Sequence, residues 1–196
     1  KKNGRFGKVY GGYGFRDEKL NDNLYLAGGN INLFNGDRRI SIVALTNNIN
    51  QQNFNADDLI GTSSSSAGGG RRGGGSNFMV GQQNGITTTN SIGINYSDQW
   101  SKNLKISGSY FFNNTSNTSV NSITRNYFTT KDSNLLYKEY NTSTTKNTNH
   151  RVNLRLEYDI DSFNTIIFTP NISFQHNESD RTLDGKTNRK DSTEVN

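Results

Sequence analysis

The stretch His150-Arg151-Val152-Asn153-Leu154-Arg155-Leu156-Glu157-Tyr158-Asp159 alternates without a break. Val152, Leu154, Leu156 and Tyr158 are apolar; Arg151, Asn153, Arg155 and Glu157 are polar. Successive side chains of a strand point to opposite faces, so a period of two marks a strand with one apolar and one polar face. The same parity recurs three times. Leu104, Ile106, Gly108, Tyr110 and Phe112 oppose Lys105, Ser107 and Ser109. Ile92, Ile94 and Tyr96 share one side of residues 90–97, and Ile166, Phe168, Ile172 and Phe174 share one side of residues 166–175. A disordered polar chain has no reason to hold parity in four separate segments.

Composition alone would have permitted disorder. The 196 residues are 30% hydrophobic, with a mean hydropathy of −0.84. Cysteine is absent, which excludes a disulfide scaffold, a Cys-ligated zinc module and a thiol enzyme. The longest apolar run is Ile42-Val43-Ala44-Leu45, far short of the ~20 residues of a transmembrane helix. Net charge is +5 and pI about 9.4, too mild to signal nucleic acid. The opening Lys1-Lys2-Asn3-Gly4 lacks the apolar core of a signal peptide, so the expectation is a mature chain or a piece of something longer.

The pattern predicts about seven strands, over residues 5–13, 24–34, 39–49, 86–97, 103–113, 137–159 and 164–179. The faces of residues 39–49 are ambiguous, because Ile40, Ile42 and Ala44 oppose Val43 and Leu45. Pro170 sits mid-strand, where it forfeits a ladder hydrogen bond. The only helical hint is one turn over residues 55–60. Tight turns are expected at 35–37, 98–103 and 161–164, with Asn35-Gly36 a strong hairpin signal. Long polar connections are expected at 15–23, 50–85 and 113–137, and a polar tail from Asp180. Residues 137–159 read as one very long strand standing above a membrane. Short turns at one end and elaborated loops at the other are the asymmetry of outer-membrane barrels.

A soluble barrel would turn the apolar parity inward, and a membrane barrel outward. Aromatics near the tight turns favour the second: Phe34, Tyr96, Trp100, Tyr158 and Phe163 read as an interfacial girdle. Tyr13, Tyr110, Phe112 and Phe174 form a second belt roughly nine to eleven residues along, the number a tilted strand needs to cross hydrocarbon. Ile106, Tyr110, Leu154, Leu156, Ile166, Phe168 and Ile172 are therefore expected to face lipid. The fold class is all-β, an antiparallel up-and-down transmembrane β-barrel fragment. Seven strands are too few to close, since the smallest such barrels have about eight. Further strands, from the same or another chain, are expected.

Several stretches then resemble a known group. They are residues 6–14 (FGKVYGGYG), 27–30 (AGGN), 35–41 (NGDRRIS), 47–54 (NNINQQNF), 77–85, 93–98 (GINYSD) and 108–114 (GSYFFNN). In order and spacing they resemble the large outer-membrane barrels of the TonB-dependent receptor type. The resemblance runs through most of the chain and corresponds to the first third of such a barrel. It implies a location in the outer membrane of a Gram-negative bacterium. It also implies a barrel of about 22 strands, with a plug domain and the energy-coupling protein as partners.

No chemistry-bearing motif stands out. Residues 62–76, TSSSSAGGGRRGGGS, lack the Lys-Ser/Thr and following helix of a P-loop. The single repeat has no interleaved aromatics, so a nucleic-acid contact is not expected. It reads as a flexible loop tip in which Arg71 and Arg72 are candidate ligand contacts. Phe54, Leu59, Ile60, Phe78, Met79 and Val80 would form ordered shoulders around it. His150 and His176 read as rim residues, and Asp57-Asp58, Asp159/Asp161 and Glu178/Asp180 as solvated loop or turn carboxylates. No catalytic residue, metal or cofactor is expected. Three functions fit this reading: a barrel segment that receives ligand outside and admits it in a TonB-dependent manner, a non-transporting scaffold in an envelope complex, or a secreted Asn/Thr-rich adhesive β-protein.

Overall fold

Each alternating run forms strand, and all strand pairs are antiparallel. The computed structural model describes residues 3–15, 23–54, 85–128 and 133–191. Its elements are β1 (Asn3–Gly14), β2 (Leu24–Asn35), β3 (Arg38–Asn47), β4 (Ile86–Ser101), β5 (Leu104–Tyr127), β6 (Ser133–Asp159), β7 (Thr165–Phe168) and β8 (Asn171–Asp191). They make one up-and-down antiparallel sheet in chain order. β7 and β8 follow each other along the same side of β6. The sheet is not closed: β1 forms one edge, and β7 with β8 the other.

Register carries the parity across the whole sheet. Gly7, Ile31, Ile42, Ile94, Tyr110, Val152 and Ile172 are successive partners from β1 to β8. One residue along, Lys8, Asn30, Val43, Gly93, Phe111, Arg151 and Ser173 form the next row, on the other face. A one-residue slip of any strand would mix the two rows.

Turn chemistry fixes that register at one end. β2 and β3 are joined by Gly36-Asp37, with φ of 62° at Gly36. A positive φ at the first central residue is the arrangement of a II′ hairpin turn, which suits glycine. β4 and β5 are joined at Lys102-Asn103, with a register shift between Gln99 and Ser101. Between β6 and β7 the Asp161 carboxylate accepts hydrogen bonds from the backbone N–H groups of Phe163 and Asn164 and from the Asn164 side chain. These bonds, the Asn164 side chain first, hold its pKa below the usual carboxylate range.

Three expectations need correction. Residues 113–137 are not mainly a connection: β5 runs on to Tyr127 and β6 begins at Ser133, paired from Asn113–Asn149 to Tyr127–Leu135. The expected tail from Asp180 is strand, continuing β8 to Asp191. Pro170 divides residues 164–179 into β7 and β8, so seven expected strands appear as eight elements. The register nevertheless passes through unshifted, from Leu156–Phe168 to Asn153–Asn171. Leu154 N–H still donates to the Pro170 carbonyl, and only the return bond is lost, because proline has no N–H. The expected turn at residues 55–60 lies outside the described residues.

Candidate functional site

The sheet has one covered face and one bare face, and their chemistry is opposite to that of a soluble sheet. The covered face is mostly polar. Asn30, Asn32, Ser41, Asn47, Thr87, Thr89, Ser91, Asn95, Asn113, Thr115, Asn117 and Asn149 are all buried. Short amides and hydroxyls pair across strands: Asn113 Nδ2 donates to Ser91 Oγ at 2.6 Å, and Asn117 Nδ2 to Thr87 Oγ1 at 2.7 Å. Burying a polar group is tolerated when it is hydrogen-bonded. Asn32, at 0% exposure, finds no partner among the described residues for either amide atom, and the same holds for Thr89 Oγ1 and Asn113 Oδ1.

A small apolar island lies among these amides. Val43, Leu45, Phe54 and Phe111 are buried together, with Leu26 packed against them. Phe54 arrives from the segment after β3, which folds back onto this face. Asn47 Oδ1 accepts from the N–H groups of Ile49 and Gln51, and Gln52 Nε2 donates to Thr87 Oγ1. Phe54 meets Phe111 edge to face at 6.2 Å. This island resolves the ambiguity of residues 39–49. Val43 and Leu45 cover the island, while Ile40, Ile42 and Ala44 lie on the bare face.

The bare face carries the large apolar side chains. Ile31, Ile94, Leu154, Ile166, Phe168, Ile172 and Phe174 are all exposed. The seven residues expected to face lipid lie here together. Ile106, Leu156 and Phe168 are one row, Tyr110 and Ile172 flank Val152 in another, Leu154 faces Pro170 between those rows, and Ile166 partners Tyr158 at the turn end. On β6 the band runs from His150 to Tyr158, about 27 Å along the strand. His150 belongs to it, its Nδ1 2.9 Å from the Tyr110 hydroxyl and its ring 5.0 Å from that of Phe112. Ile40, Ile42 and Val152 extend the band, and only register reveals the first two, since their own strand is apolar on both parities.

At the tight-turn end a polar-aromatic cluster closes the band. Trp100 Nε1 donates to the Tyr96 hydroxyl at 3.0 Å, and that hydroxyl donates to Asp98 Oδ2 at 2.9 Å. Asp98 also receives Arg38 Nε at 2.9 Å, tying β3 to β4. Tyr158 is 47% exposed on the same face, and Phe163 stands exposed in the last turn. Phe34 departs from its expected place in this girdle. It pairs with Arg39 directly above the two-residue turn, which puts it on the parity of Asn30 and Asn32. There it stacks on Phe6 at 5.6 Å, on the covered face.

Beyond His150 the chemistry changes. Residues 114–127, 133–148 and 175–191 continue as a three-stranded ribbon. On β5 it extends roughly 44 Å past the band. Its β5–β6 pairs are mostly Thr, Ser and Asn on both faces, and β8 adds charged residues such as Glu178, Asp180, Arg181 and Asp184. Near its tip the Tyr137 hydroxyl donates to Glu139 Oε2 at 2.7 Å, which raises the Tyr137 pKa, and the Arg125 guanidinium lies 6.0 Å from the Tyr137 ring centre. Arg71 and Arg72 lie outside the described residues, as do Leu59, Ile60, Phe78, Met79, Val80 and Asp57-Asp58. Among the described residues no three His, Cys, Asp or Glu side chains gather as metal ligands. Among the described residues no helix is long and apolar enough to cross a membrane, which says nothing of crossing by strands. Searches against family models, curated proteins and solved structures gave no match.

Proposed function

We propose that this sheet is a wall segment of an outer-membrane β-barrel of the receptor and transport type. The observation that carries the proposal is the inverted arrangement of the two faces. Apolar side chains stay exposed or half-buried along the bare face, Ile31, Ile94, Leu154 and Ile172 among the exposed, while Asn, Ser and Thr of β2 to β5 are buried on the opposite face. In water this arrangement leaves a contiguous apolar band bare, which soluble monomers rarely do. In a bilayer it is the stable one, because lipid meets the apolar band and a hydrated interior meets the amides. The band length supports this, since a tilted strand crosses hydrocarbon in about 9–11 residues.

In this reading the tight turns are periplasmic and the ribbon stands outside the cell. The open edges pair with further strands of the barrel, since unpaired backbone in lipid costs several kcal/mol per group. The covered face lines the interior, and its solvent-accessible charges, Lys105, Arg155 and Glu157, are the groups that meet a polar ligand there. A plug domain and an energy-coupling partner complete the proposed transporter.

Fractionation of cells expressing the full-length protein tests the proposal. The protein should stay with outer membranes through a urea or carbonate wash and run with altered mobility on gels when unheated. Release into the soluble fraction, monodisperse without detergent, would refute it.

A further inference from the structure

The bare face is not smooth, and an apolar dent in it points to a specific occupant. A dent of about 500 Å³ opens where β2 and β3 meet. Its floor is Gly29 paired with Ala44. Gly29 cannot carry a larger side chain: a Cβ there would lie 2.3 Å from the Lys8 carbonyl oxygen and 3.0 Å from Val9 Cα. The backbone of β1 thus keeps the floor low. Val9, Ile31, Ile92 and Phe112 stand around it as apolar walls. On the side away from the tight turns the dent ends at Thr46 and Asn90, whose side chains hydrogen-bond at 2.6 Å. The next row on that side is polar from β3 to β6, through Thr46, Asn90, Asn114 and Thr148. The dent is therefore apolar at its centre and polar at its outer end, at the level where the apolar band stops.

We infer that this dent is an ordered lipid site, holding one acyl chain of a membrane lipid with its ester region beside Thr46 and Asn90. The inference rests on the membrane reading above and deepens it. Polarity selects the occupant. An apolar segment of another protein would gain nothing from the hydroxyl–amide end, whereas an amphiphile matches both ends. The lining makes the site selective: a second recess of about 440 Å³ nearer the tight turns is bordered by Asn3, Arg5, Asn35 and Arg38 as well as Leu33 and Ile40, and so suits an acyl chain less well.

The test is native mass spectrometry of the full-length protein, extracted in mild detergent and incubated with a long-chain phosphatidylethanolamine. One lipid should remain bound per protein. Ala44→Phe, or the milder Ala44→Leu, fills the dent and should weaken retention about tenfold, the effect of excluding about two methylenes. Ile40→Phe adds bulk to the same face outside the dent and should leave retention unchanged. Equal retention in the wild type and both Ala44 variants would overturn the site, as would loss that is equal in Ile40→Phe. Retention lost together with appearance of a dimer in the wild type would assign the dent to a second copy and also overturn it. A nitroxide at Leu154→Cys separates this from the broader proposal: its relaxation by lipid-soluble oxygen should persist in every variant. If Leu154→Cys reports water, the membrane reading fails as well.

Discussion

The lower half of β5 and β6 and their upper half are the same two strands, paired in one unbroken register, yet they differ in every side-chain property that matters. From Leu104–Tyr158 to Phe112–His150 one face is apolar and the other polar. From Asn114–Thr148 to the tip both faces are mostly Thr, Asn and Ser. The backbone ladder is common to both, so hydrogen bonding explains the strand and not the surroundings. Under the proposed membrane placement, what changes is the solvent: the lower half meets an apolar medium on one side only, and the upper half meets water on both sides. Thr has high strand propensity, and cross-strand bonds such as Asn114 Nδ2 to Thr148 Oγ1 and Thr118 to Thr144 hold the ribbon without an apolar face.

The largest effect should come from placing a charge in each half. Leu154→Arg should cost about 2–4 kcal/mol if Leu154 lies near the midplane. Thr144→Arg, in the ribbon, should change stability by less than about 0.5 kcal/mol. Urea unfolding in detergent or vesicles measures both, and equal effects would erase the comparison. A smaller loss is expected from Asn113→Ala on the covered face, about 1 kcal/mol, because Ser91 Oγ loses its buried partner. The same assay reads it, and a neutral result would show that solvent already satisfies the site. Topology gives a third check without an energy scale. Tags at Gly36, Lys102 or Ser162 should stay shielded from protease on intact cells, whereas cleavage after Arg71 or Arg72 should be fast. Resistance at those arginines together with labelling at the turns would invert the orientation. The smallest effect concerns pH. The folded Asp161 has a lowered pKa, so its contribution is present above the unfolded value of about 4 and fades as pH falls through the folded one. Amide exchange of Phe163 and Asn164 should quicken only in that acidic window and be quick at neutral pH in Asp161→Ala.

The sequence made the lower half legible because parity there is a local property. Leu154, Leu156 and Tyr158 need no neighbour to be assigned a face. Residues 39–49 were not legible alone, since Val43 and Leu45 pack on Phe54 from a following segment and so look like a second apolar face. In the ribbon, residues 137–159 were read correctly as one long strand, but the upper part of β5 and the end of β8 were read as connection and tail for the opposite reason. With Thr, Ser and Asn on both parities, period two vanishes, and a strand cannot be told from a polar loop. Phe34 was placed by proximity to a turn, when the two-residue turn itself decides which face it takes. Of the covered face, the charges and amides were readable as a parity, but the orphaned amide of Asn32 is a matter of three-dimensional burial that no local pattern encodes.

The most direct test of the two-faced band is a cysteine scan along β6, made simple because the protein has no native cysteine. Single cysteines at residues 143–158, each carrying a nitroxide, are read for collision with lipid-soluble oxygen and with a water-soluble nickel chelate. The account predicts a period of two from His150 to Tyr158, with oxygen dominant at residues 152, 154, 156 and 158, and uniform access to the nickel reagent from residue 148 back to 143. Oxygen dominance at residues 151, 153 and 155, or a flat profile throughout, would contradict it.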